Sequence, residues 1–152
     1  MVFSTQAAHI IGGEITYVCA GNNQYNFTMI IYRDCESDGA LFDSAPGANT
    51  EATVTVYKDG SSNPHIPSFA LAAPIITNIP PDVSNPCLIL PEDVCVEEGI
   101  YTFTMTLPND PKGYHIVYQR CCRNASITNI VCLLYTSPSP RDATLSRMPS
   151  SA

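Results

Sequence analysis

With 45% apolar and 14% charged side chains, the 152 residues have the composition of one globular domain plus some tail, not of a disordered segment. Seven basic against fourteen acidic residues give a formal charge of −7, which excludes the basic footprint that nucleic acid or anionic lipid requires. No apolar run approaches the roughly 18 residues of a spanning helix, so no membrane span is expected.

Thirteen prolines, eight tyrosines and no tryptophan favour strands and loops over long helices. Seven cysteines stand at 19, 35, 87, 95, 121, 122 and 132. None forms the close C-x₂-C pair that a structural zinc site wants, so disulfides are the stronger expectation, and with them an oxidising compartment. No cofactor is expected.

Residues 1–8 end in small side chains, with Thr5-Gln6-Ala7 or Gln6-Ala7-Ala8 resembling a signal-peptidase triplet. They are expected to be the remnant of a signal-peptide cleavage region; a plain flexible N-terminus is the alternative. Ile15, Tyr17 and Cys19 then alternate with polar neighbours, Gly21-Asn22-Asn23 supplies turn chemistry, and Tyr25, Phe27, Met29 and Ile31 resume the alternation. This pattern predicts a β-hairpin. The acidic stretch after it offers Asp34, Glu36 and Asp38 as calcium candidates. Glu36 stands where an EF-hand wants Asp or Asn, and Ala45 where it wants the bidentate Glu, so a solvated turn is the better reading.

Thr50–Tyr57 alternates again, with Val54 and Val56 expected inside. Lys58–Pro64 reads as a loop. The apolar pieces between Pro67 and Pro86 are broken by proline and suit edge strands. Cys87 and Cys95 enclose seven residues with Pro91 among them, and a short bridge between them is expected. Glu97-Glu98-Gly99 reads as a solvated turn. Ile100–Leu107 predicts a strand with Tyr101, Phe103, Met105 and Leu107 inward and three threonines outward. A hairpin through Pro108–Lys112 would set it antiparallel to the next strand, which opens at Gly113 and carries Tyr114, Ile116 and Tyr118 on one face.

That strand runs into Cys121-Cys122, whose Cα atoms are about 3.8 Å apart, below the usual disulfide range of about 4.4–6.8 Å. Each is therefore expected to bond elsewhere. Among about 15 connectivities of six cysteines, the expected one joins Cys87 to Cys95 and gives Cys19 and Cys35 one each of Cys121 and Cys122, with Cys132 unpaired.

Residues 132–152 are Ser-, Pro- and Arg-rich without a usable period. They resemble translated adapter read-through at the end of an assembled reading frame and are expected to be a disordered, non-native tail; a natural linker is the alternative.

Ile10-Ile-Gly-Gly-Glu-Ile-Thr-Tyr17, Gly21-Asn-Asn-Gln-Tyr25, Tyr32-Arg-Asp-Cys35, Cys87, Cys95-Val-Glu-Glu-Gly-Ile-Tyr101 and Tyr118-Gln-Arg-Cys-Cys-Arg123 resemble, in order, the N-terminal module of large secreted Bacteroidetes proteins of the gliding-motility-associated or PKD-repeat type. The resemblance runs from about His9 to about Ile130. It implies a signal peptide before His9, an extracellular or cell-surface location and a longer multidomain protein, so that the final strand or strands of the domain would be cut short. It brings no catalytic residues and no ligand site. Asp43-Ser44-Ala45 resembles an O-glycosylation acceptor of the same group.

The expected fold is an all-β, Ig-like antiparallel β-sandwich of about seven strands over 9–131, stapled by disulfides. The expected function is a non-enzymatic structural or adhesive module. Its partners would be neighbouring domains of the same chain, surface glycans or other surface proteins. A carbohydrate- or calcium-binding module is the alternative, and a hydrolase built on His9, His65 or His115 the third.

Overall fold

A computed structural model describes residues 10–35, 41–81, 94–120 and 144–147. They form two four-stranded antiparallel sheets and, among the described residues, no helix. In chain order the strands are β1 (Ile10–Gly21), β2 (Gln24–Asp34), β3 (Thr53–Lys58), β4 (Pro64–Ala70), β5 (Ile75–Ile79), β6 (Val96–Thr106), β7 (Tyr114–Tyr118) and β8 (Thr144–Arg147). One sheet runs β1-β2-β6-β5 and the other β4-β3-β7-β8. With β1 to β8 standing as strands A, B, C, C′, D, E, F and G, these are the ABED and C′CFG sheets of an immunoglobulin-like sandwich.

The hairpin predicted around Asn22-Asn23 is present. Both asparagines have positive φ (52° and 61°), the conformation a type I′ turn requires, and asparagine tolerates it better than most side chains. Proline decides the edges: β4 contains Pro64 and Pro67, β5 lies between Pro74 and Pro80, and each is the outermost strand of its sheet.

The core forms where the two sheets face each other. Phe27, Met29 and Ile31 of β2 meet Val54 and Val56 of β3, Tyr101 and Met105 of β6, and Tyr114, Ile116 and Tyr118 of β7, all buried. Phe27 stacks on Phe103 at 5.1 Å between centroids, and Phe69 meets Phe103 edge-on at 6.0 Å. Each large side chain so buried stabilises the fold by roughly 1.5–3 kcal/mol.

Several expectations change. β6 and β7 are not a hairpin: Pro108–Gly113 carries the chain from one sheet to the other, and β7 pairs with β3 and β8. The Tyr114 hydroxyl donates to the Pro108 carbonyl, six residues upstream, at 2.7 Å. This is the tyrosine corner that fixes the E–F crossing of such sandwiches. Glu97 and Glu98 are strand residues of β6 and not a turn, because the β2–β6 ladder continues past them to Asp34 opposite Val96. The tail expected to be disordered contributes β8: the outer edge of β7 offers main-chain donors and acceptors, and Thr144–Arg147 pairs with it from Tyr118 to His115. The rest of 132–152 lies outside the described residues.

The same ladder explains the disulfide. One step beyond Asp34 opposite Val96, Cys35 faces Cys95, its N–H donates to the Cys95 carbonyl at 3.1 Å, and the two cysteines are bonded across a Cα separation of 5.1 Å. The expected Cys87–Cys95 bridge is therefore wrong: register, not loop length, selects the partner. Cys35 is likewise unavailable to Cys121 or Cys122. Cys19 is an exposed free thiol beside the β1–β2 turn, opposite Tyr25. Arg120, next in sequence to Cys121, reaches Leu41 at the far end of the sandwich, roughly 20 Å or more along β2. Cys87, Cys121, Cys122 and Cys132 lie outside the described residues.

Two stability predictions follow from these contacts. Replacing Cys35 and Cys95 together by alanine should cost about 2–4 kcal/mol in urea unfolding, since the bridge closes a long loop. Peptide mapping should recover Cys35 joined to Cys95, and a Cys87–Cys95 peptide would refute the register argument. At Gly99, a Cβ would stand 2.8 Å from the Phe42 ring. Gly99→Ala should therefore cost roughly 1–3 kcal/mol by overpacking, and an unchanged urea midpoint would mean that Phe42 yields without cost.

Candidate functional site

Three places bring chemistry-bearing side chains together. The first is a polar knot under the segment that links β2 to β3. Leu41–Ala52 folds back on itself: Ser44 N–H donates to the Thr50 carbonyl at 2.8 Å, and the Ser44 hydroxyl accepts from Ala52 N–H at 2.9 Å. Phe42 enters the core with Arg33 over its ring at 5.2 Å, and Arg33 pairs with Glu97 at 2.7 Å. Asp43, 3% exposed, follows it inward.

The Asp43 carboxylate accepts a hydrogen bond at each of its oxygens there. Tyr118 donates its hydroxyl to Oδ2 at 2.5 Å, Thr50 donates to Oδ1, and Nε of Arg120 lies 3.6 Å from Oδ1. Tyr101 donates to the Asp43 carbonyl at 2.8 Å, and Nη2 of Arg120 donates to the Leu41 carbonyl at 2.7 Å. Nη1 of Arg120 is buried without a partner among the described residues. Burial, with the hydrogen bond to Asp43, pushes the Tyr118 hydroxyl far above its usual range. Burial, and secondarily the Asp43 charge, raises Tyr101 in the same direction. Tyr118 ties the Asp43 carboxylate to β7 and Tyr101 ties the Asp43 carbonyl to β6, so this residue clamps the linking segment to both strands.

Ser44 of the acceptor-like Asp43-Ser44-Ala45 triplet belongs to this knot, half-buried with its hydroxyl engaged.

The second place is the β3–β4 turn. Nε2 of His115 lies 2.9 Å from Oδ1 of Asp59, and the Asp59 N–H donates to the Gly113 carbonyl at 3.2 Å. His65 lies in β4, not in a loop, with its ring 5.3 Å from that of Tyr114. Nearby, the Lys112 N–H and then Lys58 hold the Asp110 carboxyl below its usual range. His9 lies outside the described residues.

Of the calcium candidates, Asp34 is the last residue of β2, while Glu36 and Asp38 lie outside the described residues. Among the described residues no three His, Cys, Asp or Glu side chains are grouped to hold a metal ion.

The third place is the outer face of β1-β2-β6. Side chains alternating with the buried Ile15, Phe27, Met29, Tyr101 and Met105 point away from the core. Register sets them in rows: Thr16, Thr28 and Thr102; then Val18, Asn26 and Thr104; then Gln24 and Thr106. All but the half-buried Thr28 are exposed. The only hydrogen bond between side chains in these rows is from Thr104 Oγ1 to Asn26 Oδ1, at 2.9 Å.

Reading the strands predicted outward threonines on β6 but neither the rows nor the Asp43 knot. One signal was available for the rows: Ile15–Tyr32 and Gly99–Asn109 contain no charged residue. For the knot, a lone aspartate between Phe42 and Ala45 was the only trace. No family model, curated protein or solved structure matches this chain.

Proposed function

We propose that the domain is a non-enzymatic structural or adhesive module of an exported cell-surface protein. The observation that carries this reading is the outer face of β1-β2-β6, a broad exposed surface of threonine, asparagine and glutamine with Val18 among them and Glu14 at its border, on the most regular part of the fold. Such a surface makes many modest polar contacts across a partner instead of closing around a small substrate. The Cys35–Cys95 disulfide supports an oxidising, extracellular setting. The Asp43 knot supports a structural role for the one buried carboxylate among the described residues.

The enzyme alternative rests on His115 beside Asp59, which would need a nucleophile within reach of the imidazole. A broad hydrolase screen on the disulfide-intact chain tests it. The expected result is no turnover above background; activity that disappears in both His115→Ala and Asp59→Asn would replace the module by an enzyme.

A further inference from the structure

The rows of the outer face have a chemistry of their own. Neighbouring strands are about 4.8 Å apart and alternate residues of one strand about 6.8 Å apart, so Thr16, Thr28, Thr102, Asn26, Thr104, Gln24 and Thr106 form, with the exposed Val18, a grid of hydroxyl, methyl and amide groups. The chain carries −7 overall, yet none of this charge lies in these three rows; the nearest charge on the face is Glu14, one row beyond Thr16. Exposed strand surfaces ordinarily carry lysine and glutamate, which keep sheets soluble and apart. Charge depletion at the centre of an exposed patch is the compositional mark of a contact surface.

The hydrogen bonding is also specific. Because Thr104 spends its proton on Asn26 Oδ1, the Asn26 amide N–H groups and the Thr104 lone pairs are left side by side as donor and acceptor. A vicinal diol presents the complementary acceptor and donor. Thr28, Thr102 and Thr106 make no side-chain hydrogen bond to another described residue, so their hydroxyls add further donors and acceptors along both axes of the grid.

We infer that this face, centred on Asn26, Thr28, Thr102 and Thr104, binds an uncharged polysaccharide lying extended across β2 and β6. The inference rests on the adhesive reading above and names its partner class. Charge selects the occupant. An anionic polysaccharide meets a chain of −7, and a second copy brings another −7, with nothing of opposite sign on the face to offset either. A neutral hydroxyl-bearing polymer meets neither penalty.

The test is affinity electrophoresis of the full chain in gels containing a neutral mannan, a neutral β-1,3-glucan, a xyloglucan or, as the anionic arm, alginate. At least one neutral polymer should retard the chain, equally at low and high salt, and alginate should not. Thr102→Lys with Thr104→Lys should weaken the apparent affinity by about tenfold or more. Thr102→Val with Thr104→Val keeps the β-branched shape, and with it the fold, and should weaken binding in the same direction. Ser62→Lys, in the β3–β4 turn, should bind as the parent does. Retardation by alginate alone, retardation lost at high salt, or retention unchanged in both threonine variants would each overturn the inference. So would a dimer in light scattering that the lysine variant dissociates, because the occupant would then be a second copy. Absence of binding to every neutral polymer removes the polysaccharide but not the module, which falls only to turnover in the hydrolase screen.

Discussion

Asp43→Ala is expected to lower unfolding stability by roughly 3–5 kcal/mol, the cost of stranding a buried ion-pair partner. The substitution removes the acceptor of the Tyr118 and Thr50 hydroxyls and leaves the Arg120 guanidinium, itself largely buried, without its counter-charge. It also loosens the segment that places Phe42 against Gly99. In a chain of this length such a loss corresponds to a fall in melting temperature on the order of 10 °C. Urea unfolding of Asp43→Ala, Arg120→Met and the double variant measures it. The double variant should be more stable than the sum of the two singles predicts, because removing both charges strands neither. A loss below about 1 kcal/mol in Asp43→Ala would show that the knot is an accessory of the fold and not a clamp.

The second large effect is alkaline. Tyr101 and Tyr118 have their ionisation pushed above the usual tyrosine range, mainly by burial, while in the unfolded chain each ionises near pH 10. A raised folded-state pKa gives stability that is fully present below the unfolded value and is lost as pH climbs past it. Above about pH 10 each buried tyrosine should therefore cost about 1.4 kcal/mol per pH unit, and the pair about twice that. Unfolding should set in about one to two units above pH 10 and coincide with the part of the phenolate absorbance that is missing when Tyr101 and Tyr118 are both replaced by phenylalanine. Tyr118→Phe should start less stable, having lost its hydrogen bond to Asp43, but should fall less steeply with pH. If phenolate absorbance of both tyrosines rises near pH 10 while the near-ultraviolet circular dichroism stays native, the two hydroxyls are not held neutral by the fold.

Alternation by itself determined the inward set. Phe27, Met29 and Ile31, Val54 and Val56, Tyr101 and Met105, and Tyr114, Ile116 and Tyr118 are apolar at every second position, and strand geometry sends every second side chain to the same side. The asparagine turn of β1–β2 and the proline-marked edges β4 and β5 are equally local, since positive φ and a missing N–H are properties of single residues. Only the tertiary structure decided which sheet each strand joins. Whether Pro108–Gly113 closes a hairpin or crosses between sheets is decided by the pairing of β7 with the distant β3, which no local pattern encodes. The disulfide partner of Cys35 was settled by the β2–β6 register, a pairing across 60 residues, where sequence proximity pointed to Cys87 for Cys95. The Asp43 knot and the threonine rows were hidden for the same reason. Their members are dispersed between Thr16 and Arg120 and become neighbours only when strands pair and the linking segment folds over the core. Periodicity tells a side chain which way to face; pairing across the sheet determines what it will face.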